Sequence, residues 1–360
     1  MNSHDLQPLL RRLPEIERTR MTPKKKPAKA KSKKSAGPQI FDAVAKRRFG
    51  KTICFLCGCK LTPKNRTDEH VIPKWLQATY NLWNHKLVLL NRTEIPYKSL
   101  TIPACKDCNG KYLAPIESRV QRAVEQGAPA VRTLDKHILF FWLGKLLYGL
   151  LYREHLLRRN RSSRSKRMIV PREVLRRFRL HHYFLQGCRV PIKFEIFFPA
   201  SIWIVDTQVP PDVEYQFDFR DAPFPLLLAI RMGSVGIIAA LQDGGALDGD
   251  ESVYGSFAFH PQQFTELVAQ FFYKSSTLNR TPKFMITEQA GTIHVVQPGL
   301  AGLSLKPVFD PWIAADYAKI LAEFQRVPFE AVFVPPDRAR TIIRNERGQL
   351  NYMDLTRFSA

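Results

Sequence analysis

Four of the six cysteines stand in two CxxC pairs, Cys54-Phe55-Leu56-Cys57 and Cys105-Lys106-Asp107-Cys108. A tetrahedral zinc takes four soft ligands at about 2.3 Å, and each CxxC turn presents two of them from one knuckle. Gly58, directly after the first pair, suits such a turn. The expected structural zinc site is therefore Cys54, Cys57, Cys105 and Cys108. Cys59 competes on position, but a CxC spacing is less usual for zinc. Cys188 is isolated and reads as a plain buried thiol. Redox dithiols are the alternative for the two pairs. A four-cysteine zinc holds structure and implies no reaction by itself. Between the pairs lie Asp68, Glu69 and His70, which such a zinc does not need. An imidazole titrates near neutrality and can take a proton from water. A lone histidine is more often a packed side chain, but this one belongs to an ordered set. Glu69-His70-Val71-Ile72-Pro73 is followed by Asn84, then by Asn109 directly after the second knuckle.

In this order the residues resemble the HNH endonuclease family, whose ββα-metal fold sets two strands and a helix around one hydrolytic metal. The matching stretch is about residues 50–127 of 360. The resemblance implies roles position by position. His70 matches the general base that activates water. Glu69 matches the acidic ligand of the hydrolytic ion, with Asp68 as its rival. Asn109 matches the second ligand, from the start of the helix. Asn84 fits the middle asparagine that orients the base, with Asn81 and Asn91 as neighbours able to take that place. Glu117 is an extra ligand or, preferably, an ion-pair partner. The implied chemistry is phosphodiester hydrolysis in DNA with Mg²⁺ or Mn²⁺; RNA is not excluded. A hard cation neutralises charge on the phosphate oxygens and the leaving 3′ oxygen. Restriction or phage defence is the expected setting. A zinc-stapled nucleic-acid-binding protein without catalysis is the alternative.

These residues need elements to hold them. A segment of under about 80 residues has little core of its own, so a metal tying its ends together supplies the constraint. Val71 and Ile72 favour a strand over the run Glu69–Ile72, stopped by Pro73. A helix is expected over 74–83, short strands over 87–90 and 99–102, and a helical region after Cys108. A long buried helix fits 131–157, followed by an Arg/Ser-rich loop over 158–168 and a short basic helix over 171–182. From residue 190 the pattern becomes strands rich in Val, Ile and Phe: 193–198, 201–205, 214–219, 226–230 and 235–241. Helices are expected over 261–273 and 311–325, with a last strand over 331–334. The fold class is α+β: a small zinc-stapled ββα-metal domain over 50–130, then a larger α+β domain with an antiparallel sheet over 131–360. A basic extension, 1–49, precedes them, with a short amphipathic helix over 1–20 and a flexible cationic linker over 21–38. No Walker loop, GxGxxG or Ser-elbow motif marks the larger domain. Substrate positioning, regulation or oligomerisation is its expected role.

The formal charge is +23, from 55 Lys and Arg against 32 Asp and Glu. Residues 1–51 carry 15 Lys/Arg and 4 Asp/Glu, and residues 153–179 carry 11 and 2, so nearly all the excess sits in two segments. An anionic partner follows from this. Arg158, Arg159, Arg161, Arg164, Lys166 and Arg167, interleaved with serine, suit DNA-backbone contact without a sequence code. A polybasic membrane patch is the rival, but no lipidation signal or Trp-rich amphipathic face accompanies it. The first twenty residues have no apolar core of signal-peptide length. The most apolar stretch, Ile138 to Tyr152, is shorter than the ~20 residues that span a bilayer. It also contains Lys145. A cytoplasmic, nucleoid-facing protein is expected.

Overall fold

The structure, a computed structural model, describes residues 39–46, 48–160, 167–249, 251–297, 299–300 and 306–355. The expected helix over 1–20 and linker over 21–38 lie outside the described residues, as do Arg161, Arg164 and Lys166. The first half of the chain runs β1 (Arg66–His70), α1 (Lys74–Thr79), β2 (Lys86–Val88), β3 (Glu94–Pro96) and β4 (Thr101–Cys105). A π-helical turn (Asp107–Leu113) then leads into α2 (Ala114–Glu125), α3 (Ala128–Arg132) and α4 (Lys136–His155). The second half runs α5 (Arg172–Arg177), α6 (Arg179–Leu185), β5 (Ile192–Glu195), β6 (Ser201–Asp206), β7 (Phe217–Ala222), β8 (Leu227–Met232) and β9 (Val235–Ala240). It ends with α7 (Pro261–Ser276), β10 (Met285–Gln289), β11 (Thr292–Val296), α8 (Ala314–Gln325), α9 (Phe329–Val332), β12 (Phe333–Val334) and β13 (Arg338–Ala339). The chain is α+β with antiparallel sheets.

Helix α4 forms because its residues from Ile138 to Tyr152, Lys145 apart, are apolar all round and find apolar neighbours. Asp135 caps it, its carboxylate accepting from His137 N at 2.8 Å. Arg153 and His155 in the last turn suit the negative end of the helix dipole. Trp142, Leu143, Leu146, Leu147 and Tyr148 are all buried on it. Each such side chain contributes about 1.5–3 kcal/mol relative to exposure. Gly149 lets β1 and β4 approach closely: a Cβ there would stand 3.1 Å from Val71 and 3.4 Å from Ile102.

The antiparallel sheet β6-β9-β8-β7 is buried on both faces. Its alternation sends Ile202, Ile204, Leu228, Ile230, Ile237 and Ala239 into the same core as α4. Val205, Leu227, Ala229, Ile238 and Ala240 face the other way, onto Phe264, Leu267, Val268 and Phe271 of α7. Period-two side chains with both faces covered give the near-continuous apolar runs seen in the sequence. Core side chains from either side of residue 130 share one cluster.

Some expected elements differ. The helix expected over 131–157 is two, α3 and α4, parted at residues 133–135. The strand expected over 193–198 stops at Glu195, where Ile196 takes a left-handed φ of 73°. Of the last strand, expected over 331–334, the first two residues belong to α9 and the last two, Phe333 and Val334, are extended. No helix among the described residues is long and apolar enough to cross a membrane.

Candidate metal centre and its neighbours

Strands β1 and β4 pair antiparallel, from Arg66 opposite Cys105 to His70 opposite Thr101. The second knuckle follows directly from β4. The first knuckle is fastened to β4 by Phe55 N donating to Pro103 O at 2.9 Å. Helix α6 fastens it from behind: His182 Nε2 lies 2.8 Å from Phe55 O, and Gln186 Nε2 donates to Leu56 O at 2.7 Å. Gly58, with φ 69°, closes the turn by donating to Cys54 O at 2.9 Å. The sulfurs of Cys54, Cys57, Cys105 and Cys108 lie within 4.8 Å of one another. Cys57 Sγ and Cys105 Sγ are 3.7 Å apart. A tetrahedron with 2.3 Å bonds to sulfur has edges of about 3.8 Å. Four buried or part-buried thiols at this spacing can bind a metal such as zinc. As bare thiols they titrate as a set. Cys105 is drawn down to about 6, chiefly by its hydrogen bond with Cys108, while neighbouring thiols push Cys54 and Cys108 up. A divalent cation would accept all four as thiolates and remove that conflict. Cys59 and Cys188 stand outside the group of four.

No family model, curated protein or solved structure matches the chain.

Alternation along β1 divides the expected site residues between two faces. Thr67 and Glu69 share one face; Asp68 and His70 share the other. Asn109, in the π-helical turn, joins the first face by donating from Nδ2 to Thr67 Oγ1 at 3.2 Å. Glu69 is buried, and its Oε1 lies 2.8 Å from Lys145 Nζ. Glu117 Oε1 reaches the same ammonium at 2.7 Å. Lys145 Nζ also donates to His70 O at 3.0 Å and to Val71 O at 3.3 Å. Burial works against the charge on Lys145, but Glu117 and Glu69 outweigh it and hold the ammonium above its usual range. Glu69 is pushed up by its burial, with Lys145 opposing and Glu117 adding to the rise. Asp68 is exposed and pairs with Arg66 at 3.1 Å. Exposed pairs of this kind contribute at most about 1 kcal/mol.

His70 is partly buried, and among the described residues its ring nitrogens carry no hydrogen bond. Its ring lies over that of Trp83, with centroids 6.4 Å apart and planes inclined by 26°. Burial lowers its pKa, with Lys74 and Lys145 adding to the fall, and Glu117 and Asp68 opposing it. The free base is thereby favoured near neutral pH. Asn84 is exposed and accepts from Lys98 Nζ at 2.8 Å. Asn91 bonds to Thr93 and Arg159, and Asn81 sits at φ 51° in a turn. Among the described residues none of the three hydrogen-bonds to the His70 ring. The structure thus gathers Glu69, Glu117, Lys145 and Asn109 around one face of β1. Among the described residues no hydrogen bond or ion pair joins them to the ring of His70 or to Asn84.

Of the basic stretch, Arg158, Arg159 and Arg167 are described and exposed. The loop is closed at its root by Arg159 N donating to Arg167 O at 2.9 Å. Asn91 Nδ2 fastens that root to the β2–β3 hairpin by donating to Arg159 O at 2.9 Å. Sequence reasoning passed over Lys145 and Trp83 as site residues. Lys145 gave a signal, since one cation inside an apolar helix demands acidic partners. Trp83 gave none, because exposure is not written in its neighbours.

Proposed function

We propose that this chain is a zinc-stapled endonuclease of the HNH type, hydrolysing phosphodiester bonds of DNA. The observation that carries the reading is the end of β1. A partly exposed imidazole with unbonded nitrogens sits one residue from a cluster of oxygen donors, on a strand pair tied to a helix by four cysteines. His70 takes a proton from the attacking water as the oxygen–phosphorus bond forms and the bond to the 3′ oxygen breaks. Glu69, Glu117 and Asn109 are the oxygen donors that would hold Mg²⁺ or Mn²⁺, which neutralises charge on the phosphate and the leaving oxygen. The exposed arginines at the root of the basic loop, with Arg161, Arg164 and Lys166, supply backbone contact.

One observation favours a second reading, a nucleic-acid-binding protein without catalysis. The Lys145 ammonium already stands between Glu69 and Glu117. Supercoiled plasmid incubated with the protein and Mg²⁺, Mn²⁺ or EDTA separates the two. Nicking that depends on the added ion is expected, and His70→Ala should lower its rate by about 10²–10⁴-fold. That variant should retain its zinc and its DNA affinity. Full activity in it removes the base from His70. Tight binding without strand breaks in either ion supports the second reading.

A further inference from the structure

The turn after α1 buries Tyr80 and Leu82 but leaves Trp83 outside, 44% exposed. A bare indole on the surface forgoes the burial that large aromatics normally obtain. The other exposed tryptophan, Trp312, is packed against Tyr273 and Tyr317 at 4.6 and 4.8 Å. Trp83 has only the His70 ring as an aromatic neighbour among the described residues. Lys98 Nζ donates at 2.8 Å to Oδ1 of Asn84, the residue after Trp83. Lys74, four residues after His70 in the chain, is exposed.

We propose that Trp83 is a base-stacking platform beside His70, so that the site takes a DNA strand whose local base is unpaired and unstacked. This deepens the nuclease reading by naming its substrate class, and it rests on that reading only for the cleavage it implies. An exposed indole with a lysine bonded to the next residue of its turn combines the two features that bind single strands. The ring stacks on a base face, and the ammonium groups follow the phosphates. A base inside a duplex is covered on both sides by its neighbours. To lie on Trp83 while its phosphate reaches His70, it must first leave the stack, which costs a few kcal/mol in a duplex and little in a single strand. Single strands, gaps and melted ends are therefore the preferred substrates. Little sequence preference accompanies this, because every base has a π-face.

The test measures binding in EDTA, where the proposed cleavage is silent. A fluorescent oligo(dT) and an abasic oligonucleotide of equal length and charge are titrated with the full chain, followed by anisotropy. The wild type should bind oligo(dT) about tenfold to a hundredfold more tightly than the abasic strand, the range expected of one or two stacked bases. Trp83→Ala should bring the two affinities together, and Trp83→Phe should keep most of the difference. Unchanged zinc content and melting temperature in both variants exclude misfolding. Equal binding of the two strands by the wild type overturns the proposal, as does an undiminished difference in Trp83→Ala. Absence of any strand cleavage in Mg²⁺ or Mn²⁺ would sink the nuclease reading alone, since the binding comparison is judged without it.

Discussion

Lys145 illustrates how one side chain can decide the electrostatics of a buried site. Its ammonium meets two carboxylates and two backbone carbonyls, all supplied by other elements. Removing one partner of a buried ionic set leaves the others uncompensated, at about 3–5 kcal/mol. Lys145→Met should lower the unfolding free energy by that amount in urea titrations. Adding Glu69→Gln and Glu117→Gln to it should restore most of the loss, and failure to do so would mean that the methionine itself is misplaced. The sequence exposed this residue only as a cation in an apolar run. Glu117 lies 28 residues away and the His70 carbonyl 75, and no local pattern links them. The four cysteines were legible because spacing alone defines a knuckle. The orientation of Glu69 was not: it depends on the pairing that begins at Arg66, three residues before the expected strand.

At the scale of elements, the fit of α4 against β1 and β4 is set by a missing side chain. Gly149 faces Val71 and Ile102 at distances that leave no slack for a larger residue. Gly149→Val should overpack this contact and cost about 1–3 kcal/mol. A reduced melting temperature with zinc still bound is the expected measurement; an unchanged one would show that the helix shifts freely. Three strands of the four-stranded sheet were readable from Val, Ile and Phe runs between turn residues, whereas β7, expected over 214–219, begins three residues later, after a 3-10 turn at Val213–Tyr215. The β10–β11 hairpin was missed because β10 is exposed along its whole length and has no apolar stripe. The π-helical turn carrying Asn109 was also missed, since an extra residue per turn leaves no mark in a seven-residue segment.

Across the whole molecule, buried titratable groups limit stability from both sides of neutrality. His181 and His182 are lowered to about 4, first by burial. Between the ordinary 6.5 and about 4 the unfolded chain binds protons that the folded chain refuses, so stability falls as pH drops through that window. Glu154 is raised to about 8, first by burial, with the hydrogen bond from Leu90 N opposing and Asp221 adding to the rise. From 4.5 to about 8 the folded chain keeps a proton that the unfolded chain has released, so stability falls as pH rises. Glu154→Gln retains an acceptor for Leu90 N and should shrink the loss in melting temperature between pH 6 and pH 9. An unaltered loss would place the alkaline weakness elsewhere. Glu154, Gly149 and Lys145 all belong to α4, which begins after residues 50–130, the expected small domain with Glu69 and Glu117 inside it, have ended. That segment is consequently not a portable cassette. Grafted alone onto a foreign scaffold, it would carry its sulfur ligands with it and leave behind the ammonium that keeps its two inner acids in place.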